Sequence, residues 1–565
     1  SAERRSEVAE RAAESAGAAD GALGLSPLVG FTGADIRAGL QQLASKAWNN
    51  PRLALKHSAG FLGEVGRVLS GTSTVAPDPK DRRFGDPAWQ TNRLYGATLQ
   101  TYLAWQQSLY AFVDDADLAS KDAERARFAV RLLTEALAPT NRILGNPAAL
   151  KKLIDTGGES LARGLQHLLD DIAHNGGMPS QVDMTAFAVG KNLALSPGAV
   201  VFKNDVLELI QYAPATEQVY SRPLLLLPPQ INKFYMMDLA PGKSIIEYLV
   251  KQGFTVFALS WRNPTPAQRD WGLETYLRAV LEAIDAARDI AASESINMLG
   301  ACAGGMTLTA LLAHLAAIGD RRVNAVTLLV TVLDTSVESQ LGLFMTPETI
   351  AAAKAISRAR GVLSGRDMAR VFNWMRPNDL IWNYWVNNYL LGEEPPAFDI
   401  LYWNNDTTNL PAQLHADLLD IALANPFRNP GALTLLATPL DASKISNDMF
   451  ILAGITDHIT PWQACYATTQ ILGGRCEFIV SSSGHIQSIV NPPGNPKASF
   501  YTNPQLPADP QQWLAGAQKR PGSWWDHWRD WLKERSGELR PAPHALGDER
   551  FAPGAPAPGT YMLQR

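Results

Sequence analysis

The sequence predicts an α/β fold: a parallel β-sheet covered on both faces by helices, with an all-helical region in front of it. Three observations predict it. Short β runs with few charges recur through the last two thirds of the chain, amphipathic helical stretches separate several of them, and the first third shows helical periodicity alone. The chain has 565 residues, 46% of them hydrophobic, enough for more than one core. Its 50 basic and 55 acidic side chains leave a net charge of -5, without the basic excess that wraps nucleic acid or clings to an anionic membrane.

Residues 1–20 mix Ala, Glu, Arg and Ser without an apolar centre, so they do not read as a secretory signal, and no stretch reaches the ~18 consecutive apolar residues of a membrane span. From about 35 to 176 apolar residues recur at spacings of three and four, as in Tyr102, Leu103, Trp105, Leu109, Tyr110 and Phe112, and again in Leu161, Leu165, Leu168 and Leu169. Prolines, among them Pro51 and Pro147, punctuate these helices. We delimit a helical N-terminal domain at 1–186 and a catalytic domain at 187–565. β runs follow at 199–202, 206–212, 223–227, 254–259, 296–299, 323–333, 449–453 and 476–480, with helices at 272–292 and 306–318. The alternation breaks after Asp334. Some hundred residues rich in aromatics and Asn, including Trp374, Trp382, Trp385, Tyr389, Tyr402 and Trp403, precede the return of the sheet near Met449. An insertion at the carboxyl end of a strand sits where ligands bind in open α/β sheets, which makes about 335–440 a cap. Residues 540–559 have the Pro and Ala bias of a loose tail.

The sharpest chemical signal is Gly300-Ala301-Cys302-Ala303-Gly304-Gly305, directly after one strand and before a helix. This is the turn G-x-S-x-G with cysteine in the serine position. Its glycines allow a strand-to-helix turn too tight for side chains, and the helix N-terminus favours a thiolate and a developing oxyanion. In an α/β-hydrolase fold the acid and then the histidine follow, each after a later strand. Asp457 follows the run 449–453 and His485 follows 476–480, so Asp457 holds the imidazole and His485 takes the proton of Cys302. His458 competes for the base role, but a residue beside the acid usually projects away from it. The oxyanion hole is expected from the N–H of Ala303 and a second donor within Gln230 to Asn232, at Ile231 or Asn232. The other cysteines, Cys465 and Cys476, fall in no metal spacing, and there is no Walker loop, so no metal or nucleotide cofactor is implied. Three cysteines are too few for a disulfide framework and point to a reducing cytoplasm.

These residues resemble the polyhydroxyalkanoate synthases. The resemblance is carried by the cysteine turn, Pro-Pro-Gln-Ile-Asn-Lys-Phe-Tyr from Pro228, Ser-Trp-Arg-Asn-Pro from Ser260, Tyr-Trp-Asn-Asn-Asp-Thr-Thr-Asn-Leu-Pro from Tyr402, Asp-His-Ile-Thr-Pro-Trp from Asp457 and Gly-His-Ile-Gln-Ser-Ile-Val-Asn-Pro-Pro from Gly484. It runs from about residue 22 to the C-terminus and is most similar to the medium-chain-length, class II group of pseudomonads. It implies an α/β-hydrolase fold with a cap, and an acyltransferase that polymerises (R)-3-hydroxyacyl-CoA. The acyl group passes through Cys302 in a triad with His485 and Asp457, and CoA leaves, so no cofactor is required. It also implies a homodimer in the cytoplasm on granules of its own polyester, in company with granule-associated proteins, the helical domain aiding both. Thioester-to-thioester exchange is near balance, which suits a cysteine.

The triad alone does not separate a synthase from a thioesterase or esterase that hands the acyl group to water. The cysteine, the bulky cap and the extra helical domain favour transfer, because a cover excludes water. A non-enzymatic granule coat would have no use for Cys302. Of the 15 tryptophans, eight gather in the cap and at Trp524, Trp525, Trp528 and Trp531, where packing is the default and contact with polyester the alternative.

Overall fold

In the computed structural model of the chain, residues 33–336, 345–457 and 459–565 are described; the sequence readings of residues 1–20 and of His458 lie outside them. The chain divides into two units. Of the described residues, one unit holds 33–183 with Arg370–Pro396 and the other holds the remainder.

The first unit is helical: α1 (Gly33–Asn49), α2 (Pro51–Ser70), α3 (Arg93–Asp115), α4 (Ser120–Ala136), α5 (Pro147–Asp155) and α6 (Glu159–His174). The starts are written in the sequence. Pro51 and Pro147 sit in the first turn, where no N–H is needed, and the side chains of Asn50, Asn92 and Asn146 accept the first free amides of α2, α3 and α5. A small core of Phe84, Trp89, Leu99, Tyr102 and Leu103 unites α3 with its neighbours. Part of the expected cap belongs here: residues 370–396 group with these helices, not with the sheet. Aromatic packing explains why. Trp374, Trp382, Trp385 and Tyr389 form an edge-to-face chain with centroids 5.1 to 6.5 Å apart. Tyr389 donates to the Asp171 carboxylate at 2.7 Å and the Trp385 indole donates to the Asn141 carbonyl at 3.2 Å.

The second unit is built on a ten-stranded sheet of β1 (Gly198–Lys203), β2 (Leu207–Tyr212), β3 (Leu224–Leu227), β4 (Val256–Trp261), β5 (Ile296–Ala301), β6 (Val323–Leu329), β7 (Met449–Gly454), β8 (Cys476–Ser481), β9 (Ser499–Thr502) and β10 (Gln518–Pro521). Its order is β1-β2-β4-β3-β5-β6-β7-β8-β9-β10. The six strands from β4 to β8 are parallel, and two antiparallel strands flank them on each side. The sheet is therefore mixed where an all-parallel one was expected. The central strands are buried along their whole length, which is why they read as continuous apolar runs.

The helices of this unit include α7 (Leu273–Ile290), α8 (Ala303–Ala317), α9 (Pro347–Arg360), α10 (Ala412–Ala424), α11 (Trp462–Ile471) and α12 (Trp524–Lys533). Leu414, Leu418, Leu419 and Ile421 of α10 join the same core as α7 and the sheet. This stretch of the insertion is thus continuous with the main core. The C-terminal stretch is not a loose tail. Leu539–Pro541 pairs antiparallel with Gln218–Tyr220, and the Val200 amide donates to the Ala555 carbonyl along the outer edge of β1. α12 buries Trp524, Trp525 and Trp528 almost completely, so these side chains are packing and not a polyester-binding face. Among the described residues no helix is long and apolar enough to cross a membrane.

Candidate active site

Strand β5 ends at Ala301 and α8 begins at Ala303, which leaves one residue, Cys302, to make the turn. Its backbone takes φ 49° and ψ -119°, a region costly for a residue with a Cβ and typical of a side chain held out by force of its surroundings. Close approach explains the flanking glycines. A Cβ on Gly300 would come within 2.7 Å of the Gly305 Cα, and one on Gly304 within 2.6 Å of the Leu227 carbonyl oxygen on β3. Cys302 is only 5% exposed.

The loops after β7 and β8 bring Asp457 and His485 together, as the sequence order requires. His485 Nδ1 donates to Asp457 Oδ2 at 2.5 Å, and both side chains are buried. Nδ1 also lies 3.0 Å from the Thr460 hydroxyl. Among the described residues the second ring nitrogen, Nε2, is buried with no other hydrogen-bond partner of ordinary geometry, which leaves it for the Cys302 thiol. Burial opposes a charge on the ring, but the Asp457 carboxylate outweighs it, and a side-chain hydrogen bond with Cys302 acts in the same direction; the imidazole is raised well above its ordinary value. For Asp457 burial again opposes charge, while His485 and Thr460 prevail and hold the carboxyl low. The structure thus gathers Cys302, His485 and Asp457 into one buried group.

The carboxylate is saturated. Oδ1 accepts the amides of Ile459 at 2.8 Å and Thr460 at 2.9 Å, and Oδ2 accepts the Thr460 hydroxyl at 2.6 Å besides the imidazole. Thr460 was missed by sequence reasoning, although a Thr two residues past an Asp-His pair is an ordinary signal for a side chain folding back on the acid. Also missed were the indoles that steady the helix His485–Ile489: Trp524 donates to the Ser488 carbonyl at 2.6 Å and Trp525 to the Ile489 carbonyl at 3.1 Å.

Of the expected oxyanion donors, Ala303 is the first residue of α8, where a helix leaves its N–H without an internal acceptor. Ile231 and Asn232 lie in the loop after β3, both buried. They are not equivalent. The Asn232 N–H already donates to the Thr408 hydroxyl at 2.9 Å, which removes it as a donor, whereas the Ile231 N–H has no hydrogen-bond partner among the described residues.

Residues 80–249 match the family described as poly-beta-hydroxybutyrate polymerase N-terminus, and residues 223–492 match the alpha/beta hydrolase fold. The chain is 54% identical to poly(3-hydroxyalkanoate) polymerase 1 of Ectopseudomonas oleovorans across 97% of this chain and 98% of that protein. The chain belongs to the poly(3-hydroxyalkanoate) polymerases. It is also 50% identical to polymerase 2 of the same organism over 95% of this chain and 96% of that protein, and 40% identical to the polymerase subunit of Cupriavidus necator over 88% of this chain and 85% of that protein. A poly(3-hydroxyalkanoate) polymerase is an enzyme of the acyltransferase type, and here it is built on an α/β-hydrolase fold.

Proposed function

We propose that the protein polymerises (R)-3-hydroxyacyl-CoA, of medium chain length, through an acyl group carried on Cys302. The observation that carries this reading is the buried Cys302–His485–Asp457 group in a chain of this family. In the first half-reaction the Cys302 sulfur attacks the thioester carbonyl with the thiol proton held on His485 Nε2, where the Asp457 carboxylate stabilises the imidazolium. The carbonyl oxygen becomes an oxyanion held by the N–H groups of Ala303 and Ile231. Collapse expels CoA as the thiolate, which takes the proton from His485. In the second, the 3-hydroxyl of an acyl chain loses its proton to His485 and attacks the Cys302 thioester; an ester bond forms and the thiol is restored.

The four donors on Asp457 support His485 as the base in both halves, because the carboxylate has no oxygen left over for a substrate proton. Burial of the reacting groups disfavours water as the acceptor. No cofactor enters; CoA is the leaving group. A homodimer acting at the polyester granule is part of this proposal. Incubation with 3-hydroxydecanoyl-CoA, followed by weighing of products, tests the reading: insoluble polyester with stoichiometric CoA is expected, and free 3-hydroxydecanoate without polymer makes the protein a thioesterase.

A further inference from the structure

The loop after β3 is fastened from two sides, and both fastenings lie beside Ile231. On one side stands a piece of the insertion. The Thr408 hydroxyl, in a residue 5% exposed, accepts the Asn232 N–H at 2.9 Å and donates to the Gln230 carbonyl at 3.1 Å, so it bridges the two peptide groups that flank Ile231. Its neighbours reinforce the bridge. Asp406 accepts from Lys233 Nζ at 2.7 Å and from the Tyr235 hydroxyl at 2.9 Å, and the Trp403 indole donates to the Lys233 carbonyl at 2.7 Å. On the other side stands the helix after the nucleophile. Gln230 Nε2 donates to the Thr307 hydroxyl at 3.0 Å, and that hydroxyl donates to the Ala303 carbonyl at 2.9 Å. Between the fastenings the backbone is strained, for Asn232 has φ +81°.

From this we infer that Thr408 is a positioning residue for acyl transfer: by bridging the Gln230 carbonyl and the Asn232 amide, its hydroxyl aims the intervening Ile231 N–H at the thioester oxygen. The inference rests on the proposed reaction at Cys302. Thr408 does not touch the substrate; it acts through the loop. It also ties the donor to the insertion, so that the oxyanion hole is complete only while residues 403–408 are seated.

Two reactions at the same sulfur test this in the full-length protein. The burst of CoA from 3-hydroxydecanoyl-CoA passes through an oxyanion, whereas alkylation of Cys302 by iodoacetamide is displacement at a saturated carbon and forms none. Thr408→Val is expected to slow the burst about 10- to 100-fold, below the roughly 100- to 1000-fold cost of removing an oxyanion donor outright because the donor is misaimed and not lost, with alkylation within about twofold of wild type. Thr408→Ser, which keeps the hydroxyl, is expected to restore most of the burst. Gln230→Met cuts the opposite tether and is expected to give the same split, which keeps the test open should Thr408→Val fail to fold. Equal losses in both reactions, or a burst within about twofold of wild type, overturn the inference. Cys302→Ala runs alongside: a burst that persists there removes the acyl-cysteine reading itself, whatever the Thr408 variants do.

Discussion

Asp457 and His485 are a charged pair at zero exposure, and their ionisation sets a sign for the response to pH. The imidazole is raised against the opposing effect of burial, and the carboxyl is held low against the same effect. A raised base contributes stability in full below its unfolded value of about 6.5 and loses it as pH climbs through the folded value. A lowered acid contributes in full above about 3.9 and loses it as pH falls through the folded value. The stability advantage of wild type over Asp457→Asn is therefore full on the acid side of neutrality and shrinks toward alkaline pH. Urea-unfolding midpoints of both proteins across about pH 5 to 10 measure it; an advantage that stays constant or grows at high pH contradicts a charged pair. The three residues of this group were legible in the sequence because each stands just past an apolar strand, in the chain order the fold demands. Thr408 was not, since its partner lies 178 residues away and no local pattern reveals it, whereas Thr460 stands three residues past Asp457 and carried a local signal that went unused.

At the scale of elements, the eight apolar runs all became strands, because burial on both faces leaves a continuous apolar signature. Strands β9 and β10 escaped notice for the opposite reason: Ser-Phe-Tyr-Thr is short, and Gln-Lys-Arg-Pro on the edge is wholly polar and exposed. The expected strand 323–333 stops at Leu329, after which Val330 turns with φ 45°. Helix α12 illustrates how packing decides the fate of aromatics. Trp524 stacks on Phe450 at 6.1 Å, and Trp528 donates to the Thr327 hydroxyl at 2.8 Å, so the helix is pinned to β7 and β6. Trp524→Ala, which also frees the Ser488 carbonyl behind His485, is expected to cost about 3–5 kcal/mol in chemical denaturation. A loss below about 1 kcal/mol would show that the indole is not a core element.

For the whole molecule, the sequence divides the chain near residue 186 and treats 335–440 as one body, whereas the structure distributes that insertion. Residues 370–396 join the helices, and α10 joins the main core. Chain order cannot reveal such a division, because the aromatic run and α10 find their partners in segments up to some 250 residues earlier, as Trp385 does with Asn141 and the α10 residue Asp417 does with Leu273. The stretch Trp403–Thr408 stays with the sheet unit and meets the loop after β3, where the proposed positioning role of Thr408 lies. All of this depends on the acyl group residing on one sulfur. Peptide mass spectrometry after brief incubation with 3-hydroxydecanoyl-CoA tests that most directly. A 3-hydroxydecanoyl or longer oligoester adduct is expected on the peptide carrying Cys302 and absent from Cys302→Ala; an adduct confined to Cys465 or Cys476, or undiminished CoA release by Cys302→Ala, would contradict an acyl-Cys302 intermediate.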